Sequence, residues 1–194
     1  RKTAGLLRYP ALILFAVILF FESGFEGAQG NFTVSYLSDK EGMSMASATL
    51  AMTWFTVGML AGRLPLGFIL GKLGAIGTLY SYLSAALAGV MLLLLCSGSV
   101  FAAYLSMILI GFGVGATYPV ILNYIGGAFR ELSGTAISIA LFIALLGQYT
   151  FNKLTGAAFD AGRQMLLPVL LVVAVACMMT LVPLAVKVSS RMKG

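Results

Sequence analysis

The 194-residue sequence contains no histidine, six acidic residues and 12 basic ones, so only 9% of it is charged. A soluble domain has roughly 25% charged residues, and a chain that is 60% hydrophobic has too few polar residues to cover its surface in water. Without histidine, a Ser-His-Asp triad, a Cys-His pair and imidazole metal sites are excluded. We therefore predict that the chain is not an enzyme and that it uses no metal or cofactor.

Cysteine is also scarce. Cys96 and Cys177 both lie in apolar segments, which favours buried, inert thiols over a disulfide framework. The net charge of +6 does not indicate nucleic acid, because basic residues of membrane proteins concentrate at the cytoplasmic ends of helices. The chain starts at Arg1 with no signal-peptide pattern. We expect it to be a fragment, a processed product or one half of a larger protein.

Long apolar segments are abundant instead. A helix needs about 20 residues to cross a bilayer core of about 30 Å, and six segments meet this requirement. They are residues 9–36, 45–71, 75–96, 100–129, 135–159 and 165–186. Short polar or glycine-containing links separate them. The sequence predicts an all-α polytopic membrane protein with a single six-helix domain over residues 1–194.

The basic residues predict the orientation. An even number of spans places both termini on one side, together with nine basic residues: Arg1, Lys2, Arg8, Arg63, Lys72, Arg130, Lys187, Arg191 and Lys193. The opposite side has Lys40 and Arg163. Since basic residues favour the cytoplasm, we expect both termini to be cytoplasmic.

Polar residues within the apolar segments indicate a cavity. An ionisable group at the centre of a bilayer costs about 2.5–3.5 kcal/mol unless it faces protein or water. Stripes of polar residues, some of them ionisable, occur on the first, second, fourth and fifth spans. The third and sixth spans are expected to face lipid. The candidate substrate-binding residues are Gln29, Trp54, Asn123, Gln148 and Asn152. The candidates for coupling or charge pairing are Glu22, Glu26 and Lys153.

Each of these residues has an alternative interpretation. The amides suit the hydroxyl groups of a sugar but could equally join helices. Glu26 could bind substrate, carry a proton or pair with Lys153, and both Glu22 and Glu26 could instead lie at the membrane interface in contact with outside water. Lys153 could extend its charged end toward the membrane surface. Trp54 could stack on a sugar ring or belong to an aromatic belt at the membrane surface.

Glycine and proline indicate close packing and helix breaks. The pairs Gly58/Gly62, Gly67/Gly71 and Gly111/Gly115 have the spacing that lets membrane helices approach closely. Pro65 and Pro119 are expected to break or kink their helices.

The sequence from Gly62 to Gly74, GRLPLGFILGKLG, resembles the signature of the major facilitator superfamily at a cytoplasmic joint. Gly71 replaces the usual aspartate, whereas Lys72 and Gly74 match. Residues 113–119 (GVGATYP) and 129–136 (FRELSGTA) are also similar to that superfamily. The resemblance implies a conformational motif formed by Gly62, Arg63, Gly67, Lys72 and Gly74, within the C-terminal six-helix half of such a transporter.

Residues 22–32 (ESGFEGAQGNF) resemble the fucose/glucose–proton symporter branch. The resemblance implies half of an alternating-access carrier in the cytoplasmic (inner) membrane, surrounded by lipid and moving a small polar solute, such as a sugar coupled to protons. The partner would be a missing N-terminal half or a second copy of the chain, and no nucleic acid is expected. A homo-oligomeric channel and a non-transporting receptor or scaffold are the alternatives.

Overall fold

The structure, a computed structural model, describes residues 9–95 and 98–191, with only the backbone at Arg191. These residues form helices joined by short links and contain no strand. Six helical stretches are long and apolar enough to cross a membrane: Pro10–Lys40, Met45–Arg63, Leu66–Leu94, Val100–Ala128, Arg130–Asp160 and Leu166–Ser190. The predicted fold class, an all-α polytopic membrane protein, is confirmed.

The helices are α1 (Pro10–Ser35), α2 (Met45–Arg63), α3 (Leu66–Leu94), α4 (Val100–Val114), α5 (Thr117–Ala128), α6 (Ser133–Asp160) and α7 (Leu166–Arg191). A π-helical turn, Tyr36–Lys40, extends α1, and a short 3-10 helix, Arg130–Leu132, precedes α6. The fourth span therefore consists of two helices, α4 and α5.

Several residues used in the sequence predictions lie outside the described part of the chain. They are Arg1, Lys2, Arg8, Cys96 and Lys193, together with the side chain of Arg191. The other cysteine, Cys177, is a free, half-buried thiol in α7.

The links before α2 and α4 lie next to each other. The backbone N–H of Gly98 donates to the Glu41 carboxylate at 2.9 Å. The hydroxyl of Ser44 accepts the N–H of Ser47 at 3.2 Å at the start of α2, a capping bond that satisfies a donor without an intrahelical partner. Both links therefore lie on the same side of the bundle, as alternating spans require.

Proline residues mark the breaks in the second and fourth spans. α2 ends at Arg63, two residues before Pro65, and Pro119 lies in the first turn of α5. Because proline has no N–H, it removes one intrahelical hydrogen bond. The second span, which the sequence predicts as continuous over 45–71, is thus interrupted after Arg63.

A second turn follows within α3. Gly74 has φ 65° and ψ 177°, so it separates the helical residues 66–73 from the rest of α3. A positive φ is accessible to glycine without the steric cost that a side chain would add. The joint predicted at residues 72–74 therefore coincides with a backbone turn, although helix continues on both sides of it.

The helices pack as two groups. α6 and α7 pack on α1, whereas α2 and α3 pack on α4, and α3 contacts α7 between the groups. In the most apolar 18-residue window of each span, 67% of the first and 61% of the fourth are buried, against 28% of the second and 22% of the fifth. The first and fourth spans are therefore central, and the second and fifth are the most exposed.

Glycine residues allow the backbones of α2 and α4 to touch. A Cβ atom at Gly58 would collide with the Ile108 carbonyl oxygen, and one at Gly111 with that of Phe55. A Cβ atom at Gly62 would lie 2.6 Å from the Phe112 carbonyl oxygen. The close approach expected from these glycines is thus present.

The other predicted glycine pair behaves differently. Among the described residues, no atom lies within 4 Å of a Cβ placed at Gly67 or Gly71. The expectation that these two residues bring helices together is therefore wrong. Their spacing matches the pattern, but they lie in the short segment between Pro65 and Gly74, where neither faces another helix closely.

A tyrosine compensates for the proline inside α7. Pro183 cannot donate to the carbonyl of Met179, four residues earlier. The hydroxyl of Tyr80 in α3 donates to this carbonyl at 2.7 Å. This bond joins α3 to α7 at a carbonyl that has no backbone donor within α7.

Replacing Gly111 with alanine should destabilise the protein by about 1–3 kcal/mol, as overpacking typically does, because the new methyl group meets the α2 backbone. Gly67→Ala is the matched control and should be nearly neutral. Thermal unfolding in detergent micelles measures both, and equal effects would contradict the assigned α2–α4 contact.

Tyr80→Phe should cost about 1–3 kcal/mol, because it leaves a carbonyl away from water without a donor. In a Pro183→Ala background, the restored N–H can bond to Met179, so the same substitution should cost much less. Unfolding of all four proteins in a double-mutant cycle measures the difference. Additive effects would show that Tyr80 does not compensate for Pro183.

Candidate functional site

A polar cleft of about 410 Å³ lies among α1, α2, α5 and α6. Its lining residues are Ser23, Glu26, Gly27, Gly30, Asn31, Phe55, Met59, Tyr118, Leu145 and Gln148. Half of them come from α1, and α2, α5 and α6 supply the others. The spans that line the cleft are the first, second, fourth and fifth, and α3 and α7 contribute none of these residues.

Two amides of α6 lie close to α1 because Gly27 has no side chain. A Cβ atom at Gly27 would lie 2.5 Å from Cγ of Gln148 and 3.1 Å from Nδ2 of Asn152. Asn152 accepts a hydrogen bond from Nδ2 of Asn31 at 3.0 Å. Gln148 thus reaches the cleft beside Glu26, with Asn152 adjacent to it.

The two glutamates of α1 differ in environment although they are one turn apart. Glu22 is fully buried, and neither of its carboxyl oxygens has a hydrogen-bond partner among the described residues. Glu26 is half-buried and lines the cleft. The two carboxyl groups interact electrostatically with each other and with Arg63 of α2.

Arg63 also contacts the break in the fourth span. Its Nε donates to the Gly115 carbonyl at 3.4 Å. Pro119, four residues after Gly115, has no N–H for this carbonyl, so the guanidinium replaces the missing helical donor. Arg63 therefore connects the end of α2, the α4–α5 break and the glutamates of α1.

A second side chain stabilises the same end of α2. The hydroxyl of Tyr82 donates to the Gly62 carbonyl at 2.6 Å, and its ring stacks on Phe112 with centroids 4.7 Å apart. The last carbonyls of a helix have no intrahelical partner, so Tyr82 satisfies one of them. The breaks at Pro65 and Pro119 are thus side by side and are bridged by side chains.

Two predicted binding residues lie outside the cleft. Gln29 is fully buried, and its amide nitrogen contacts the sulfur atoms of Met107 at 3.3 Å and Met52 at 3.8 Å. Asn123 lines a separate pocket of about 310 Å³ between α3 and α5. The expectation that both share a cavity with Gln148 and Asn152 is therefore wrong.

The remaining predicted side chains lie on the surface of the chain. Trp54 is exposed, with its ring 6.1 Å from that of Tyr104. Lys153 is exposed, and its Nζ lies 5.9 Å from the centre of the Tyr149 ring. This places the charge of Lys153 beside an aromatic ring and not in an ion pair with Glu26.

The residues of the predicted conformational motif also separate. Gly62 and Arg63 lie at the α2–α4 contact, whereas Gly67 has open space around it. Nζ of Lys72 lies 4.3 Å from the centre of the Phe68 ring, and Gly74 forms the turn inside α3.

The sequence predictions did not include Ser23, Asn31 or Tyr118 as site residues, nor Arg63 as a partner of the glutamates. Ser23 precedes Glu26 by three residues and Asn31 follows Gly27 by four, spacings that place each pair on one helical face. This signal was present for α1. The positions of Arg63 and Tyr118 depend on packing between spans.

The described residues contain no group of three or more acidic, cysteine or histidine side chains that could hold a metal ion. The cleft is lined by amide and hydroxyl groups, by the carboxyl group of Glu26 and by apolar side chains. No protein-family model matches the sequence, and no curated protein is detectably similar to it.

A cysteine at position 148 should react rapidly with a membrane-impermeant thiol reagent, because a thiol in a wet cleft can ionise. Both native cysteines are first replaced by serine (Cys96→Ser and Cys177→Ser), so that the new thiol is the one labelled. The matched control is Ala144→Cys, because Ala144 lies one turn before Gln148 on α6 and is buried. Labelling rates in membranes measure the difference. Equal rates for the two positions would contradict a water-filled cleft.

Proposed function

We propose that the chain is one half of a secondary active transporter that moves a small polar solute across a membrane by alternating access. The observation that carries this proposal is the cleft, where Glu26, Gln148 and Tyr118 come together from three spans. Polar groups at membrane depth persist where they face a pathway for a solute or ion.

The chemistry of the cleft favours a neutral polyol such as a sugar. Gln148 offers both donors and an acceptor, as does Asn31, and Tyr118 adds a hydroxyl. Apolar surfaces from Phe55, Met59 and Leu145 complete the lining. Small-molecule pockets typically measure about 300–1,000 Å³ and combine apolar walls with a few polar groups, which the cleft of about 410 Å³ also does.

The open cleft supports the proposal of a second helical unit. Exposed apolar residues flank it on α2 and α6, among them Leu60, Phe142 and Tyr149. If the chain were alone, a carboxylate would lie beside lipid, which is costly. We propose that a second six-helix unit covers the cleft, either the N-terminal half of a major facilitator transporter or another copy of this chain.

The adjacent breaks in α2 and the α4–α5 span support alternating access. Interrupted helices next to a binding site are a recurrent feature of transporters whose halves rock about the substrate. Pro65 lies six residues after the cleft residue Met59, and Pro119 directly follows the cleft residue Tyr118. These breaks provide points at which the spans can bend without losing their glycine contacts.

The proposed location is the cytoplasmic (inner) membrane, with both termini in the cytoplasm. The sequence places nine basic residues on the side of the termini and two on the opposite side, and this excess favours the proposed orientation.

Gln148→Ala in the complete carrier should weaken sugar binding about ten-fold, equivalent to one lost hydrogen bond of about 1.4 kcal/mol. Asn123→Ala removes a similar amide outside the cleft and should leave binding unchanged. Counterflow of labelled sugars in proteoliposomes measures apparent affinity. Equal losses would reject the cleft as binding site, and flux without saturation or counterflow would indicate a channel.

Glu26→Gln should lower the transport rate or remove its pH dependence, because it neutralises the carboxylate that lines the cleft. Uptake measured over a range of external pH tests this outcome. If both the rate and its pH dependence were unchanged, Glu26 would have no role in transport.

A further inference from the structure

Glu22 is an unusual group for a membrane span. It is fully buried, and no described residue donates a hydrogen bond to either oxygen. An ionised carboxylate in such a place is strongly disfavoured unless it is both paired and hydrogen-bonded. A carboxyl group avoids most of this cost by holding a proton, because the neutral form needs no counter-charge.

The charged and titratable groups around Glu22 come from three helices. Glu26 lies one turn further along α1, and Arg63 of α2 interacts with both carboxyl groups. Tyr118 of α5 interacts electrostatically with both and lines the cleft together with Ser23. α6 and α7 also pack on α1, but the basic residue of α6, Lys153, is exposed. Two carboxyl groups therefore interact electrostatically with the same guanidinium.

We propose that Glu22 holds one exchangeable proton while Glu26 carries the negative charge that Arg63 balances. This inference rests on the proposed carrier function and assigns its coupling proton to one residue. On release, the proton leaves the Glu22 carboxyl oxygen, binds the Glu26 carboxylate, and passes from it to water in the cleft. The transfer needs no other ion and no redox partner.

The contact between Arg63 and Gly115 connects this proton to the helix break. With Glu22 protonated, one carboxylate faces the guanidinium, and Nε remains available to the Gly115 carbonyl. Loss of the proton leaves two carboxylates beside Arg63, and they compete with the carbonyl for it. Protonation of Glu22 therefore biases the contact that holds α2 against the α4–α5 break.

Infrared difference spectroscopy of the full protein in lipid, titrated over pH, tests this assignment. Wild type should show the C=O stretching band of a protonated, weakly hydrogen-bonded carboxyl group at neutral pH, and Glu22→Gln should remove it. In Glu26→Gln, Arg63 has only Glu22 as counter-charge, so the band should disappear at lower pH than in wild type. Arg63→Gln removes the counter-charge, so the band should disappear at higher pH than in wild type.

The band shifts in Glu26→Gln and Arg63→Gln do not require the Glu22→Gln variant to fold. Two results would overturn the proton site. One is absence of the band at neutral pH, and the other is a band that disappears at the same pH in wild type and in both variants. Sugar counterflow without such a band would leave the carrier function standing and reject this inference alone. The expected band in a protein with no counterflow would support the proton site and reject the carrier function.

Discussion

The backbone of this protein must satisfy its hydrogen bonds without help from lipid, and this requirement shapes the joints between its helices. Pro119 and Pro183 each free a carbonyl four residues earlier. A side chain from another helix meets each one: Arg63 reaches Gly115 and Tyr80 reaches Met179. The prolines therefore interrupt individual helices and at the same time create the bonds that join neighbouring helices.

The same joints position the candidate site. Contact between α2 and α4 through Gly58 and Gly111 fixes the position of α2, at whose end Arg63 interacts electrostatically with the glutamates of α1. α6 packs on α1 through Gly147 and Gly27, which brings Gln148 to Glu26. Since α2 packs mainly on α4 and α6 mainly on α1, a space remains between them, and this space is the cleft.

Spacing along one helix predicts which residues share a face, but the packing opposite that face decides what each residue does. Glu22, Glu26 and Gln29 follow helical spacing as expected, yet they have three different environments. Glu22 is buried with no hydrogen-bond partner in the described part of the chain, Glu26 faces the cleft, and Gln29 contacts Met52 and Met107. The glycine pairs illustrate the same point. Gly58 and Gly67 each start a pair of glycines four residues apart, but of these two residues only Gly58 packs against another helix in the described structure.

The all-α membrane class was determined by the sequence alone, because a bilayer of fixed thickness requires apolar segments of a certain length and six such segments are present. The sequence also predicted where helices are interrupted, because proline lacks a backbone donor wherever it occurs. Only the tertiary structure decided that Arg63 faces two carboxyl groups and that Asn123 lies outside the cleft. Those relations depend on the rotation and depth of helices far apart in the chain, which spacing within one helix does not specify.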